Sequence, residues 1–304
     1  MDRPDVDLVS IVTPVVTHRE MVLASLKAGK AVLCEKPMAM NAGEAQQMTE
    51  RAREAGVLAL IDHELRFLPG RQAAAALLRD GQLGKVWHAR IVFRSGQRSD
   101  PDRPWNWWSD VKQGGGALGA IGSHVIDACR WLLKTEVSDV SCQLSTHISK
   151  RRDEAGTIRD VTTDDEANML LRFADSELTE GATGNVSMSM VQAGASAHSI
   201  EIFGSRGALR VDGNGYLWTA KTGDTDWTAV ETERGELAPG AAEGSWSRGF
   251  TAFANQIVTT LREGRTTVTG AATFEDGYRT QQVLDAARKA NEMGRWEKIE
   301  PEEH

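Results

Sequence analysis

Short unbroken apolar runs alternate with helix-period stretches at the start of this chain. Leu8-Val9-Ser10-Ile11-Val12, ended by Thr13-Pro14, predicts a strand buried on both faces. Thr17 to Gly29 predicts a helix, with Met21, Val22 and Leu26 on one stripe and Gly29 as its stop. Ala31-Val32-Leu33-Cys34 is a second buried strand, so the segment reads as one βαβ unit. Asn41 to Gly56 predicts the next helix, capped by Asn41 and striped by Ala45, Met48, Ala52 and Ala55. Val57–Ile61 predicts a third strand ending at Asp62-His63.

The period then changes. Ala73 to Leu78 continues a helix, Lys85 to Phe93 alternates as a one-faced strand, and Ala117 to Leu133 predicts a helix. From Val137 the pattern is mostly strands, at 137–147, 161–173, 177–190, 199–203, 207–211, 216–220 and 227–231, with Gly- and Asp-rich turns between them. Amphipathic helices over Ser245–Arg262 and Phe274–Met293 close the chain, followed by an acidic tail. The expected fold class is α/β followed by α+β. A partial Rossmann-like parallel sheet (1–66) leads into a C-terminal domain (67–304) built on a large, mostly antiparallel sheet.

Composition narrows the partners. A chain of 304 residues with 40% hydrophobic and 26% charged residues suits two ordinary globular domains. The net charge of −8 argues against a nucleic-acid partner, and the basic cluster Lys150-Arg151-Arg152 reads as a solvated turn. Cys34, Cys129 and Cys142 lack paired spacing, which predicts reduced thiols, a cytoplasmic location and no metal site. No apolar run is long enough for a membrane span.

Chemistry concentrates at the strand ends, where open α/β sheets bind ligands. An isolated lysine after a strand is ordinarily a solvated loop charge. Here Thr13-Pro14, His18, the Ala-Gly-Lys turn and Glu35-Lys36-Pro37 stand together, and Arg66-Phe67 with Pro69 follow. This combination resembles the Gfo/Idh/MocA oxidoreductases. The resemblance implies NAD or NADP as cofactor, with Lys36 beside nicotinamide and substrate and the Lys36–Pro37 bond often cis. It also implies that Thr13, Pro14, His18, Glu35, Lys36, Pro37 and His63 border the cofactor. A histidine placed like His63 is as often structural as it is part of a site.

A second stretch, Gly114 to Asp127, resembles the family's glycine-rich segment whose histidine is the acid/base, so the catalytic pair is expected to be Lys36 and His124. Gly119 and Gly122 each cost a helix about 1 kcal/mol, which suggests that something packs close to the backbone there. In several relatives an Asp stands four residues before the histidine. Here that position is Ala120, so the family's proton relay is incomplete. Arg66, Trp107, Trp108, His124 and Asp127 are the expected substrate contacts; the tryptophans either form a wall for a sugar face or cap a core.

The resemblance implies hydride transfer between nicotinamide and a sugar, polyol or related carbinol. The alternatives are a non-catalytic binding relative and an NAD-dependent glycoside hydrolase of the same family. A homo-oligomer, dimer or tetramer, through the C-terminal sheet is implied as well. In the family about two βα units, on the order of 60 residues, precede the Thr-Pro strand and carry the glycine-rich phosphate turn. Met1 therefore reads as an internal start or a truncation.

Overall fold

A computed structural model describes residues 3–194 and 196–300. Strands β1 (Leu8–Ile11), β2 (Ala31–Cys34) and β3 (Ala59–Ile61) pair in parallel in that order, linked by α1 (His18–Lys27) and α2 (Ala42–Ala55). β2 is buried throughout. β1 has one paired neighbour among the described residues, and Ser10 is exposed, so the expectation of burial on both faces holds for β2 and not for β1.

Local chemistry sets the limits of α2. Asn41 Oδ1 accepts the Glu44 N–H at 2.9 Å, Glu44 reaches back to the Met40 N–H, and Gly56 ends the helix in the left-handed region. Asn41→Ala is expected to cost about 1 kcal/mol, read as a lower urea midpoint with an unchanged slope.

A 3₁₀ turn at Glu64–Phe67 carries the chain out of this sheet into α3 (Pro69–Arg79) and β4 (Val86–Arg94). The loop that follows ends in a π turn, Leu118–Gly122, that runs directly into α4 (Ser123–Leu133). Next come β5 (Val137–Ser145), a small hairpin of β6 (Lys150–Arg152) and β7 (Ile158–Asp160), and then β8 (Glu166–Phe173) and β9 (Thr179–Ser189). After them run β10 (Ala197–Gly204), β11 (Gly207–Asp212), β12 (Leu217–Lys221) and β13 (Thr228–Val230). The chain ends through α5 (Ser245–Arg262), β14 (Ala272–Thr273), α6 (Phe274–Met293) and β15 (Glu297–Lys298). Nine of these strands form one sheet, ordered β13-β12-β11-β10-β4-β9-β8-β5-β15, in which only β4 and β9 are parallel neighbours.

The helices α3, α4 and α6 cover one face of the large sheet. Leu78, Ile126, Leu132 and Leu284 pack there on Ile91, Met169, Val186 and Ile200. The opposite face is open and exposes Trp87 and Leu170. The first sheet is a three-layer unit: α1, α2 and the start of α6 cover one side, and Phe253 and Ile257 of α5 cover the other.

Two expectations need correction. The proposed boundary after residue 66 marks where the chain leaves the first sheet, but α5, β14 and α6 return to it, β14 pairing antiparallel with β3. The basic cluster at 150–152 is no solvated turn. Arg151 is buried and donates to the carbonyls of Arg98, Asp100 and Arg103, pinning the loop ahead of the tryptophans. Among the described residues no helix is long and apolar enough to cross a membrane.

Candidate functional site

The carboxyl ends of β1, β2 and β3 meet the π turn ahead of α4, and the predicted chemistry gathers at that junction. The Lys36–Pro37 bond is cis. His18 sits beneath it, one ring nitrogen 2.9 Å from the Thr13 carbonyl and the other 3.2 Å and 3.3 Å from the carbonyls of Pro37 and Met38. The ring is buried and staples the ends of β1 and β2 together. It supports the turn from behind rather than facing open space. Thr13, Pro14 and Glu35 remain partly exposed along this edge, and Lys36 Nζ lies 3.7 Å from a Glu35 carboxylate oxygen.

The π turn is held from the far side by Asp164, which accepts the Leu118 N–H at 2.6 Å. Gly119 lies beside the cis-proline turn: a Cβ there would make an ordinary contact with the Pro37 ring at 3.4 Å. The tighter approach is at Gly122, where a Cβ would stand 3.2 Å from Leu118 and 3.3 Å from Met188, while the cis-proline turn borders the π turn at Gly119. The Lys36 charge is, after burial, the largest influence holding the His124 imidazole well below its ordinary pKa.

Around His124 the side chains are almost dry. His63 Nδ1 lies 3.3 Å from His124 Nδ1, with the two rings edge-on at 79°. His63 Nε2 is 3.8 Å from Asp127 Oδ1. Asp127 is gripped by Arg66 through two bonds, at 2.9 Å and 2.6 Å. Arg66 and Asp127 thus hold each other. Trp107 is exposed on the loop ahead of the π turn, whereas one face of Trp108 is covered by the Arg98 guanidinium at 3.9 Å.

Residues that were not expected complete the surroundings. Trp246, in the first turn of α5, makes edge contact with His124 at 4.8 Å between ring centres, and lies nearly parallel to His198 at 6.4 Å. Arg71 bonds His198 Nε2 at 3.0 Å. A cavity of about 550 Å³ opens beside them, lined by Phe93, Arg94, His198, Glu201, Arg210 and Trp246. Gly249 lets α5 lie directly on this site, since a Cβ there would come 2.7 Å from the Glu64 carbonyl oxygen. Among the described residues nine buried side-chain polar atoms have no partner, and Asp62 Oδ1, Glu64 Oε2, Arg71 Nε and His124 Nε2 are four of them. Buried polar atoms are rarely left so, and these four are open to a polar ligand or to water.

Burial also fixes the protonation states. It pushes His63 down to about 4 and His198 down to about 3, both from 6.5. Burial, then the Glu35 charge, pushes Asp62 up to about 7 from 3.8. The unfolded chain binds protons to the histidines that the folded chain refuses, so their contribution to stability is lost as pH falls from 6.5 towards 4. Asp62 acts in the opposite sense: it is protonated in the folded chain while ionised in the unfolded one, which costs stability as pH rises from about 4 to about 7. Asp62→Asn should therefore raise the melting temperature most above pH 7, with the gain vanishing below about pH 4. A gain independent of pH would contradict this assignment.

Comparison with known proteins agrees with the geometry. Residues 1–63 match the profile of an oxidoreductase family with an NAD-binding Rossmann fold, and residues 71–210 match the GFO/IDH/MocA C-terminal domain. An oxidoreductase domain protein from Kribbella flavida superposes with a TM-score of 0.86 at 31% identity, over 99% of this chain and 82% of that one. A levoglucosan dehydrogenase solved with NADH and levoglucosan superposes with a TM-score of 0.86 at 26% identity, over 99% and 82%. In sequence, the levoglucosan dehydrogenase of Pseudarthrobacter phenanthrenivorans is 31% identical over 224 residues, 69% of this chain. An oxidoreductase of Synechocystis is 35% identical over 209 residues, 68% of this chain. The matched regions take in 56% and 55% of those two proteins, so the chain spans about half their length.

Proposed function

The chain belongs to the Gfo/Idh/MocA oxidoreductase family, and from that premise we propose that it exchanges a hydride between nicotinamide and the carbinol carbon of a sugar or polyol. The observation that carries this reading is the unpartnered Nε2 of His124, held in a dry pocket next to the Lys36 charge. Its bare lone pair can take a hydroxyl proton; burial and the Lys36 charge make the imidazole a weak base, and the same charge would offset this by stabilising the alkoxide that the transfer leaves.

The residues at the strand ends fit the nicotinamide half of the cofactor. Thr13, Pro14, Glu35, Lys36 and Pro37 would border it, with His18 fixing the turn and His63 closing the far wall. The partnerless Asp62 carboxyl and Glu64 carboxyl add hydrogen-bonding capacity for a polar ring substituent. Bound nicotinamide supplies the site that accepts or returns the hydride. In the oxidation direction, the substrate O–H bond breaks as its proton passes to His124 Nε2. The C–H electron pair leaves as hydride, and the carbonyl double bond forms. Lys36 would donate a hydrogen bond to the same oxygen and stabilise the negative charge that develops on it. His124 would give up its proton once the product leaves, which restores the protein's own groups; the hydride departs with the reduced cofactor.

Among the expected substrate contacts, Trp107 is exposed and His124 is buried with its Nε2 unpartnered. Trp246 joins them as an aromatic wall, since a flat ring buries a sugar face at low entropic cost. The same reading includes a homo-oligomer that covers the open face of the large sheet at Trp87 and Leu170. Sedimentation should show an assembly that Trp87→Glu with Leu170→Glu dissociates.

The function is tested by mixing the chain with NAD⁺ or NADP⁺ and levoglucosan or myo-inositol deuterated at the ring carbons. Deuterium arriving on the nicotinamide is the expected result. No transfer to either cofactor from any polyol, in either direction, would overturn the proposal. Release of a free sugar with no net reduction would point to hydrolysis instead.

A further inference from the structure

A histidine that takes a proton at Nε2 must carry its own N–H on Nδ1, and free imidazole prefers the opposite tautomer. Some neighbour has to impose the choice. Residue 120, one turn before His124, is alanine and offers no carboxylate. The only hydrogen-bond partner of His124 among the described residues is His63, Nδ1 to Nδ1 at 3.3 Å. One of these nitrogens donates and the other accepts.

The direction follows from the far side of His63. Its Nε2 faces Asp127 Oδ1 at 3.8 Å, longer than a hydrogen bond but close enough for the carboxylate to favour an N–H pointing at it. Arg66 holds that carboxylate in place through its two bonds. With the proton of His63 on Nε2, its Nδ1 presents a lone pair. His124 must then donate from Nδ1, and its Nε2 is left as a bare lone pair, the atom found without a partner.

We propose that Asp127 and His63 form a relay that locks His124 in the Nδ1–H tautomer, with His63 as the positioning residue. Asp127 thereby supplies through His63 the orienting carboxylate that position 120 lacks. The charged and titratable groups around the pair are Lys36, Arg71 and His198 for His124, and Asp127, Arg66, Lys36 and Asp276 for His63. Burial above all, and then the cations among these groups, keep both rings neutral at neutral pH. When His124 takes a proton on Nε2, its Nδ1–H goes on donating to His63, and no proton has to reach Asp127.

The consequence for catalysis rests on the acid/base role given above to His124; the tautomer itself does not. Nitrogen NMR of the imidazoles reads it directly. The expected result is Nδ1–H for His124 in the wild type and in His63→Asn, whose amide oxygen still accepts, and reversion to Nε2–H in His63→Phe. In turnover, His63→Phe should lower kcat rather than raise KM, by on the order of 10²-fold, and displace the acid limb of the pH profile, while His63→Asn retains most activity. Nε2–H in the wild type would overturn the relay. So would a His63→Phe chain that melts lower yet keeps the wild-type tautomer and pH profile. An Nδ1–H wild type without any hydride transfer would leave the relay standing and sink the dehydrogenase reading.

Discussion

Lys36→Met should lower kcat/KM by about 10²–10⁴-fold with little change in melting temperature. The methionine stem keeps the length of the aliphatic chain, and the turn beneath it is held by His18, Pro37 and the π turn, none of which uses the Lys36 ammonium. The only ion pair lost is a half-exposed one with Glu35 at 3.7 Å, of a kind worth at most about 1 kcal/mol. In the proposed reaction, what disappears is a positive charge next to the oxygen that would become negative in the transition state. Steady-state kinetics beside a thermal melt separates the two effects. Turnover within a few-fold of wild type would remove Lys36 from the mechanism.

The largest loss of stability is expected from Asp127→Ala. Arg66 and Asp127 are both nearly inaccessible, at 5% and 2% exposure, and the two bonds between them neutralise a guanidinium inside the protein. Removing the carboxylate strands that guanidinium with Asp276 at 3.4 Å, itself shared with Arg130, as its remaining acidic partner. Breaking one side of a buried pair costs about 3–5 kcal/mol, enough to unfold a marginal domain. Urea denaturation checks this, and Arg66→Met combined with Asp127→Leu should recover much of the loss, because an apolar pair leaves no charge behind. A single-variant loss below about 1 kcal/mol would mean that water reaches Arg66.

Much of the architecture was legible because it is local. The limits of α5 and α6 coincide with the amphipathic stretches read from sequence, and α6 is fixed at its start by a Thr273–Asp276 capping box. The βαβ unit around Lys36 showed itself through short apolar runs ending in polar residues. The hairpin at 150–160 did not, because three-residue strands are too short to carry a period and their one buried side chain, Arg151, is charged. β14 and β15, with two residues each, lie below any pattern, although β14 is what ties the C-terminal segment to the first sheet.

The site divides in the same way. Lys36, Pro37 and His124 were marked by motifs, and of the two glycines ahead of His124 only Gly122 has a close neighbour. The partners were invisible. His63 meets His124, and Arg66 meets Asp127, across 61 residues in each case. Arg66 and Asp127, expected as substrate contacts, are bonded to each other, which no local pattern announces. Trp246 arrives from a helix far along the chain, and its only sequence signal was an aromatic residue at a helix start after a long Gly- and Pro-containing loop. Buried polar residues at tertiary junctions cannot be distinguished from surface ones by period alone.

The central claim is that the junction of Lys36 and His124 is a nicotinamide site. Calorimetric titration of NADH and of NADPH into this chain tests it most directly. The account predicts saturable one-to-one binding of at least one of them, with a binding enthalpy altered by Lys36→Met. A folded chain that takes up neither would contradict it.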